Sequence, residues 1–270
     1  MVIETLARRA QGLGANLLNA VIPKGGYRVT RDLQYGAQAR HRIDVYVPKA
    51  APNPPLVLYF YGGGWTEGDR AIYPFVAEAF TSAGIAFAVA DYGLYPDVKY
   101  PAFLEDGATA FRFVRERAAD FGVNAERLFL AGHSAGAYNA VMLAVDRRYL
   151  SDADRLALKG AIGIAGLYDL LPLKTQTMLA IFDGNRPETQ PIEYVDRKTT
   201  PILLAHGGRD VVVHPGNSVR MAEKLARFGS EAQLKEYPDA GHIDILVSMA
   251  RGFRRRTSLR EDILTFVHAH

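Results

Sequence analysis

The chain has 270 residues, with 32 Lys and Arg against 29 Asp and Glu and no Cys. A formal net charge of +3 over that length offers no block of positive charge for gripping a phosphate backbone, so nucleic-acid binding is disfavoured. Without Cys there can be no disulfide, thiolate nucleophile or Cys-ligated metal, and 49% apolar with 23% charged residues marks a globular chain rather than a disordered one.

In chain order, residues 1–22 come first. Arg8 and Arg9 precede an apolar stretch from Leu13 to Ile22, which faintly resembles a signal peptide. Glu4 stands before the arginines, and Asn16 and Asn19 interrupt the stretch, so an amphipathic surface helix is the better reading. No run reaches the roughly 18 apolar residues needed to span a bilayer, and a cytoplasmic location is expected. Two strand-like runs follow, 27–35 and 41–47. In the second, Ile43, Val45 and Val47 alternate with other residues, the pattern of a half-exposed antiparallel strand. The turn Ala51-Pro52-Asn53-Pro54-Pro55 ends this part.

The character then changes. Residues 56–60, 85–90, 128–131, 161–165 and 202–205 are continuously apolar, as suits parallel strands covered on both faces. Helical periodicity over 70–83, 103–120, 135–147 and 215–228 falls between them. A last strand is expected near 232–237 and a C-terminal helix from about Asp244. Alternating β and α elements with short connections predict one α/β domain over 1–270, built on a mostly parallel sheet flanked by helices. The basic residues Arg251, Arg254, Arg255, Arg256 and Arg260 would lie on the C-terminal helix as a solvated face.

Gly132-His133-Ser134-Ala135-Gly136 directly follows a buried strand and opens a helix. G-x-S-x-G in that setting is the nucleophile elbow of α/β-hydrolases, a sharp turn that exposes the Ser hydroxyl. A Ser hydroxyl needs a base, and the base needs an orienting acid. In this fold the acid follows the nucleophile and precedes the His. Asp210 and His242 each lie just beyond a late strand and meet that order. His133 would point away from the nucleophile, His206 precedes the acid, and His214 would cap the next helix. His41 precedes the elbow, and His268 and His270 lie in the tail. Tyr61-Gly62-Gly63-Gly64-Trp65 follows the strand 56–60, where glycines let backbone N–H groups turn toward a developing oxyanion.

On these residues, with Asp91-Tyr92, Leu94, Pro96, Tyr100-Pro101-Ala102 and Glu105-Asp106, the chain from about residue 27 onward resembles the α/β-hydrolase esterases of the hormone-sensitive-lipase-like type. Small carboxylesterases and arylformamidases are related to these. The resemblance implies oxyanion donors at the N–H groups of Gly63, Gly64 and Ala135, with Gly62 shaping the loop. It implies a short lid over about 167–200, with Trp65 and Tyr168 as candidate substrate contacts. Tyr168, Leu171, Met178 and Phe182 are equally candidates for pocket or core. Two departures stand out: Tyr61 replaces the family's usual His, and Gly93 its usual Arg. The expected activity is hydrolysis of short-chain carboxylic esters, a small-molecule substrate, without metal or other cofactor. The alternatives are N-formylkynurenine cleavage and an inactive hydrolase fold serving as a binding module.

Overall fold

The computed structural model describes residues 19, 20, 22, 23 and 25–270. Most of the helix expected over 1–22 lies outside the described residues. Asn19 and Ala20 are helical. The Asn19 side chain donates to the Ile72 carbonyl and accepts from the Phe75 N–H, both at 3.0 Å.

Eight strands form one sheet: β1 Tyr27–Gln34, β2 Arg42–Pro48, β3 Leu56–Phe60, β4 Ala86–Ala90, β5 Leu128–His133, β6 Leu158–Ile164, β7 Ile202–Gly207 and β8 Ala232–Tyr237. Their spatial order is β1-β2-β4-β3-β5-β6-β7-β8. β1 and β2 run antiparallel to their neighbours, and the pairs from β4 to β8 are parallel. The continuous apolar runs are these parallel strands. β3, β4, β5 and β7 are buried along their whole length, because helices cover both faces.

β2 differs from expectation. It is buried on both faces after Arg42, not half-exposed. Its polar Asp44 is paired inside, accepting from Arg70 Nε and the Asp32 N–H at 2.9 Å each. The edge strand β8 carries the intermediate exposure instead.

The four periodic segments are the helices Pro74–Thr81, Ala102–Glu116, Ala135–Val145 and Gly216–Arg227. The helix Asp152–Ala157 had no apolar stripe to announce it. A capping box does the work, with Ser151 accepting from the Asp154 N–H and Asp154 reaching back to the Ser151 N–H. The C-terminal helix also needs correction. Asp244–Val247 is a single turn, and the long helix is Leu259–Ala269. Arg251, Arg254, Arg255 and Arg256 therefore lie in the intervening turns, and only Arg260 is helical. They are not one solvated face: Arg254 pairs with the buried Glu78, and Arg260 donates to the Ala79 carbonyl at 3.0 Å. Among the described residues no helix is long and apolar enough to cross a membrane.

Candidate active site

The loops at the carboxyl ends of β3, β5, β7 and β8 converge on one edge of the sheet, where open α/β sheets place their ligands. Ser134 sits between β5 and the helix Ala135–Val145 with φ 55 and ψ −121, a backbone that side-chain-bearing residues rarely adopt. Two close approaches hold it there. A Cβ on Gly132 would come within 2.1 Å of the Gly136 carbonyl oxygen, and one on Gly136 within 2.0 Å of the Phe60 carbonyl oxygen. Strand and helix backbones touch at the elbow, so both glycines are steric requirements. The Ser134 N–H is spent on the Ile164 carbonyl at 2.9 Å, which ties the turn to β6.

Asp210 and His242 are brought to this turn from 76 and 108 residues away in the chain. His242 Nε2 stands 3.0 Å from Ser134 Oγ, and His242 Nδ1 stands 2.7 Å from Asp210 Oδ2. A carboxylate only accepts, so Nδ1 carries the hydrogen and Nε2 is left to accept from the Ser134 hydroxyl. Asp210 is buried, and burial by itself would raise its pKa. Hydrogen bonds from His206, His242 and the Val213 N–H outweigh that and hold it well below the usual carboxylate range. The carboxylate is thus charged where it faces the imidazole.

His133 does turn from the Ser134 hydroxyl, and it has another contact. Its Nε2 donates to the His242 carbonyl at 2.8 Å, and the two rings lie 4.7 Å apart. Burial first, then the neighbouring His242, lower its pKa from 6.5 to about 3. A neutral His133 therefore braces the backbone of the base. His214 accepts from the Gly216 N–H at 3.0 Å at the start of its helix. His41 pairs instead with Asp106 at 2.8 Å.

The glycine loop lies against the elbow: a Cβ on Gly62 would be 3.1 Å from the Ser134 Cβ. Gly63 has φ +130 and Gly64 φ +59. Among the described residues, the N–H groups of Gly63, Gly64 and Ala135 donate to no protein acceptor. Behind the loop, Tyr61 is fully buried between the rings of Tyr73 and Tyr92. Its hydroxyl donates to Asp91 Oδ1 at 2.7 Å and accepts from Arg40 Nη2 at 2.8 Å. Arg40 also donates to the carbonyls of Tyr92 and Gly68, both at 2.7 Å. An arginine from the turn before β2 therefore braces the Tyr61 and Tyr92 loops. At Gly93 a Cβ would meet Val98 Cγ2 at 2.7 Å and Asp106 Oδ2 at 2.9 Å, so a larger residue would have to displace these side chains.

Trp65 and Tyr168 are placed in the core, not on a pocket wall. Trp65 is buried against Phe103, Tyr138 and Phe182, and its indole N–H donates to Asn139 at 3.0 Å. Tyr168 is buried against Gly163 of β6 and Gly166 just beyond it, where a Cβ would lie 1.9 and 2.1 Å from its hydroxyl. Phe182 is core as well, while Leu171 and Met178 are partly buried.

A serine, an imidazole and a carboxylate in one hydrogen-bonded line beside unspent N–H groups suit acyl transfer chemically. Comparison with known proteins agrees on the kind of molecule. The BD-FAE family model matches residues 43–225, more than half of the chain and including both Ser134 and Asp210. The chain belongs to the BD-FAE family. Isoprenylcysteine alpha-carbonyl methylesterase of Arabidopsis thaliana is 26% identical over 269 residues, spanning 90% of this BD-FAE chain and 62% of that protein. Esterase LipC of Mycobacterium tuberculosis is 27% identical over 246 residues, spanning 82% of the chain and 61% of LipC. The chain thus spans under two thirds of these relatives. In structure it superposes on a Pyrobaculum calidifontis esterase with TM-score 0.81 at 21% identity, covering 98% of this chain and 92% of that one. A truncated carbohydrate esterase from gut microbiota gives TM-score 0.77 at 18% identity, covering 92% and 98%. At those identities the likeness is one of fold, and the fold is that of the α/β-hydrolases.

The residue that sequence reasoning passed over is His206. It precedes the acid in the chain, yet its Nε2 lies 3.2 Å from Asp210 Oδ2. The available signal was its place at the end of a buried strand, four residues before Asp210.

Proposed function

We propose that this chain is a serine carboxylesterase that hydrolyses short-chain carboxylic esters through an acyl-enzyme. The observation that carries the reading is the line Ser134 Oγ–His242 Nε2 at 3.0 Å and His242 Nδ1–Asp210 Oδ2 at 2.7 Å. Ser134 Oγ attacks the ester carbonyl carbon while its proton passes to His242 Nε2. The imidazolium that forms is stabilised by the charged Asp210. The carbonyl oxygen, now an oxyanion, is received by the N–H groups of Gly63, Gly64 and Ala135. His242 then gives the proton to the leaving alcohol oxygen as the C–O bond breaks. Water repeats the sequence: it loses a proton to His242, attacks the acyl carbon and releases the carboxylic acid and Ser134.

The relatives found support ester substrates, since they are named methylesterase, esterase and carboxylesterase. Those names favour esters over formamides, and the connected hydrogen bonds favour an active enzyme over an inactive binding module. The test is turnover of p-nitrophenyl acetate and labelling by a fluorophosphonate probe. Parent enzyme should do both, and Ser134→Ala neither. Unlabelled parent enzyme, or a Ser134→Ala variant within a few-fold of parent, would falsify the assignment.

A further inference from the structure

Asp210 serves two imidazoles. His206 lies on β7 and is 1% exposed. Its Nε2 has two neighbours in reach, the Val213 carbonyl oxygen at 3.0 Å and Asp210 Oδ2 at 3.2 Å. Both are acceptors, so Nε2 carries a hydrogen; it donates to the Val213 carbonyl, with Asp210 Oδ2 as its charged second neighbour. Its Nδ1 lies 2.7 Å from the Ser218 hydroxyl, which can donate to the unprotonated nitrogen and so select this tautomer. Ser218 is fully buried in the helix Gly216–Arg227, which rules it out as a second nucleophile.

The result is one chain of side chains: Ser218, His206, Asp210, His242, Ser134. The other carboxylate oxygen is pinned too, because Asp210 Oδ1 accepts the N–H groups of Val212 at 2.9 Å and Val213 at 2.8 Å. Two backbone donors fix Oδ1 and two imidazoles share Oδ2. A carboxylate held at both ends cannot rotate, and the direction of Oδ2 sets the direction of the His242 ring. His242 makes its longer contact, 3.0 Å, to the reacting hydroxyl, so a small ring rotation would misalign that contact first.

We propose that His206, its tautomer selected by Ser218, is a positioning residue: its Nε2–H orients the Asp210 carboxylate that aims His242 at Ser134. This rests on the esterase reading above. It predicts a loss in kcat rather than KM, because neither His206 nor Ser218 meets substrate.

The experiment compares His206→Leu, His206→Gln, Ser218→Ala and Ser134→Ala with parent enzyme. It reads kcat and KM on p-nitrophenyl acetate, melting temperature, and the downfield proton resonance of the His242 Nδ1–H. His206→Leu should lower kcat roughly 10- to 100-fold, the scale of one hydrogen bond to a charged group, with KM within about twofold. It should also shift the downfield resonance. His206→Gln should recover most of the kcat and the resonance, since its amide nitrogen can stand where Nε2 stood. Ser218→Ala should show a smaller loss of the same kind. Parental kcat in His206→Leu overturns the proposal, and so does an equal loss in the Leu and Gln variants or a loss confined to KM. If His206→Leu does not fold, Ser218→Ala decides: parental kcat with an unmoved resonance overturns it. An active Ser134→Ala would instead sink the esterase reading itself. An inactive Ser134→Ala beside a parental His206→Leu would sink this inference alone.

Discussion

Each side chain of the site has its chemistry assigned by what it touches. Asp210 is charged because donors outnumber the cost of burial, and it fixes the His242 tautomer. Asp210→Asn would present an N–H to His242 or force the ring into the wrong tautomer. By the tautomer argument turnover should fall roughly 10⁴-fold with folding intact. Ester turnover together with a melting curve checks this. If Asp239→Asn is the crippled variant and Asp210→Asn is not, the acid is wrongly assigned. The Asp239 carboxylate pairs instead with the exposed Arg209. Tyr61 is the other residue whose part can be isolated. Tyr61→Phe keeps the stacked ring and removes the hydroxyl from both Asp91 and Arg40. If the glycine loop holds the oxyanion as proposed, it should loosen, and turnover should drop by a similar factor for every acyl length across a p-nitrophenyl ester series. A shifted chain-length optimum would mean that Tyr61 shapes the pocket instead.

At the scale of the element, the elbow and the glycine loop use glycine for different reasons. Gly136 is a close approach: a Cβ would sit 2.0 Å from the Phe60 carbonyl oxygen, and both partners are backbone. Gly64 is a backbone conformation with φ +59 and open space where a Cβ would go. Gly64→Ala should therefore fold at a cost of about 1–2 kcal/mol from the left-handed backbone alone. Gly136→Ala should fail to fold or melt far lower. Soluble yield and urea midpoints distinguish the two, and comparable stability in both variants would contradict the packing account. The segment from 167 to 200 has a similar lesson. It contains the helix Gln176–Phe182 and two short 3₁₀ turns, Pro187–Thr189 and Pro191–Tyr194. Phe182 plugs it into the aromatic core, and the Thr189 carbonyl accepts from the Tyr138 hydroxyl at 2.5 Å. The short-chain expectation supposes that this strapped segment allows little acyl chain to be buried, each methylene contributing about 0.8 kcal/mol for as long as a pocket lasts. We expect kcat/KM to peak at acyl chains of about two to six carbons and to fall beyond, where added methylenes stay in water. An optimum at about twelve carbons or more would refute the short-chain reading.

At the scale of the whole molecule, the site makes the fold sensitive to acid. His133 is buried neutral, with its pKa lowered from 6.5 to about 3, and Asp210 is also held low. Unfolded chain takes up a proton at each position at higher pH than folded chain does. Both groups therefore contribute stability that is present above their unfolded pKa and is lost as pH falls toward the folded value. For His133 that window runs from about 6.5 down to about 3, with a slope of roughly 1.4 kcal/mol per pH unit. Asp210 adds to the loss only below the ordinary carboxylate range. Urea midpoints between neutral pH and about pH 4 should fall, and His133→Gln should flatten that dependence while lowering stability at neutral pH. An unchanged slope in the variant would show that His133 titrates normally.

Much of this protein was legible in one dimension. Continuous apolar runs identify strands buried on both faces, because only parallel strands between helix layers need no polar face. The elbow is local: a strand, a Gly-x-Ser-x-Gly turn and a helix are contiguous, so Ser134 is a candidate from sequence alone, and chain order points to Asp210 and His242, which the fold brings beside it. What lay beyond the sequence was set by pairing across the fold. The burial of β2 depends on Arg70 reaching Asp44, and alternation along the strand cannot report a partner from another element. The segment between Asp244–Val247 and Leu259–Ala269 is non-helical, and its Arg254 reaches Glu78 on another helix, a partner that local periodicity cannot report. Trp65 and Tyr168 are core residues because Phe182 meets the first and Gly163 and Gly166 the second, which residue type alone leaves open. His206 is the clearest case: chain order ranked it below His242, and only the folded end of β7 sets its Nε2 against the carboxylate that His242 also uses. Residue pattern determines which backbone elements form, since that is a matter of local periodicity and burial. Which polar groups share a proton or a charge is decided by distances of about 3 Å between segments that only tertiary packing brings together.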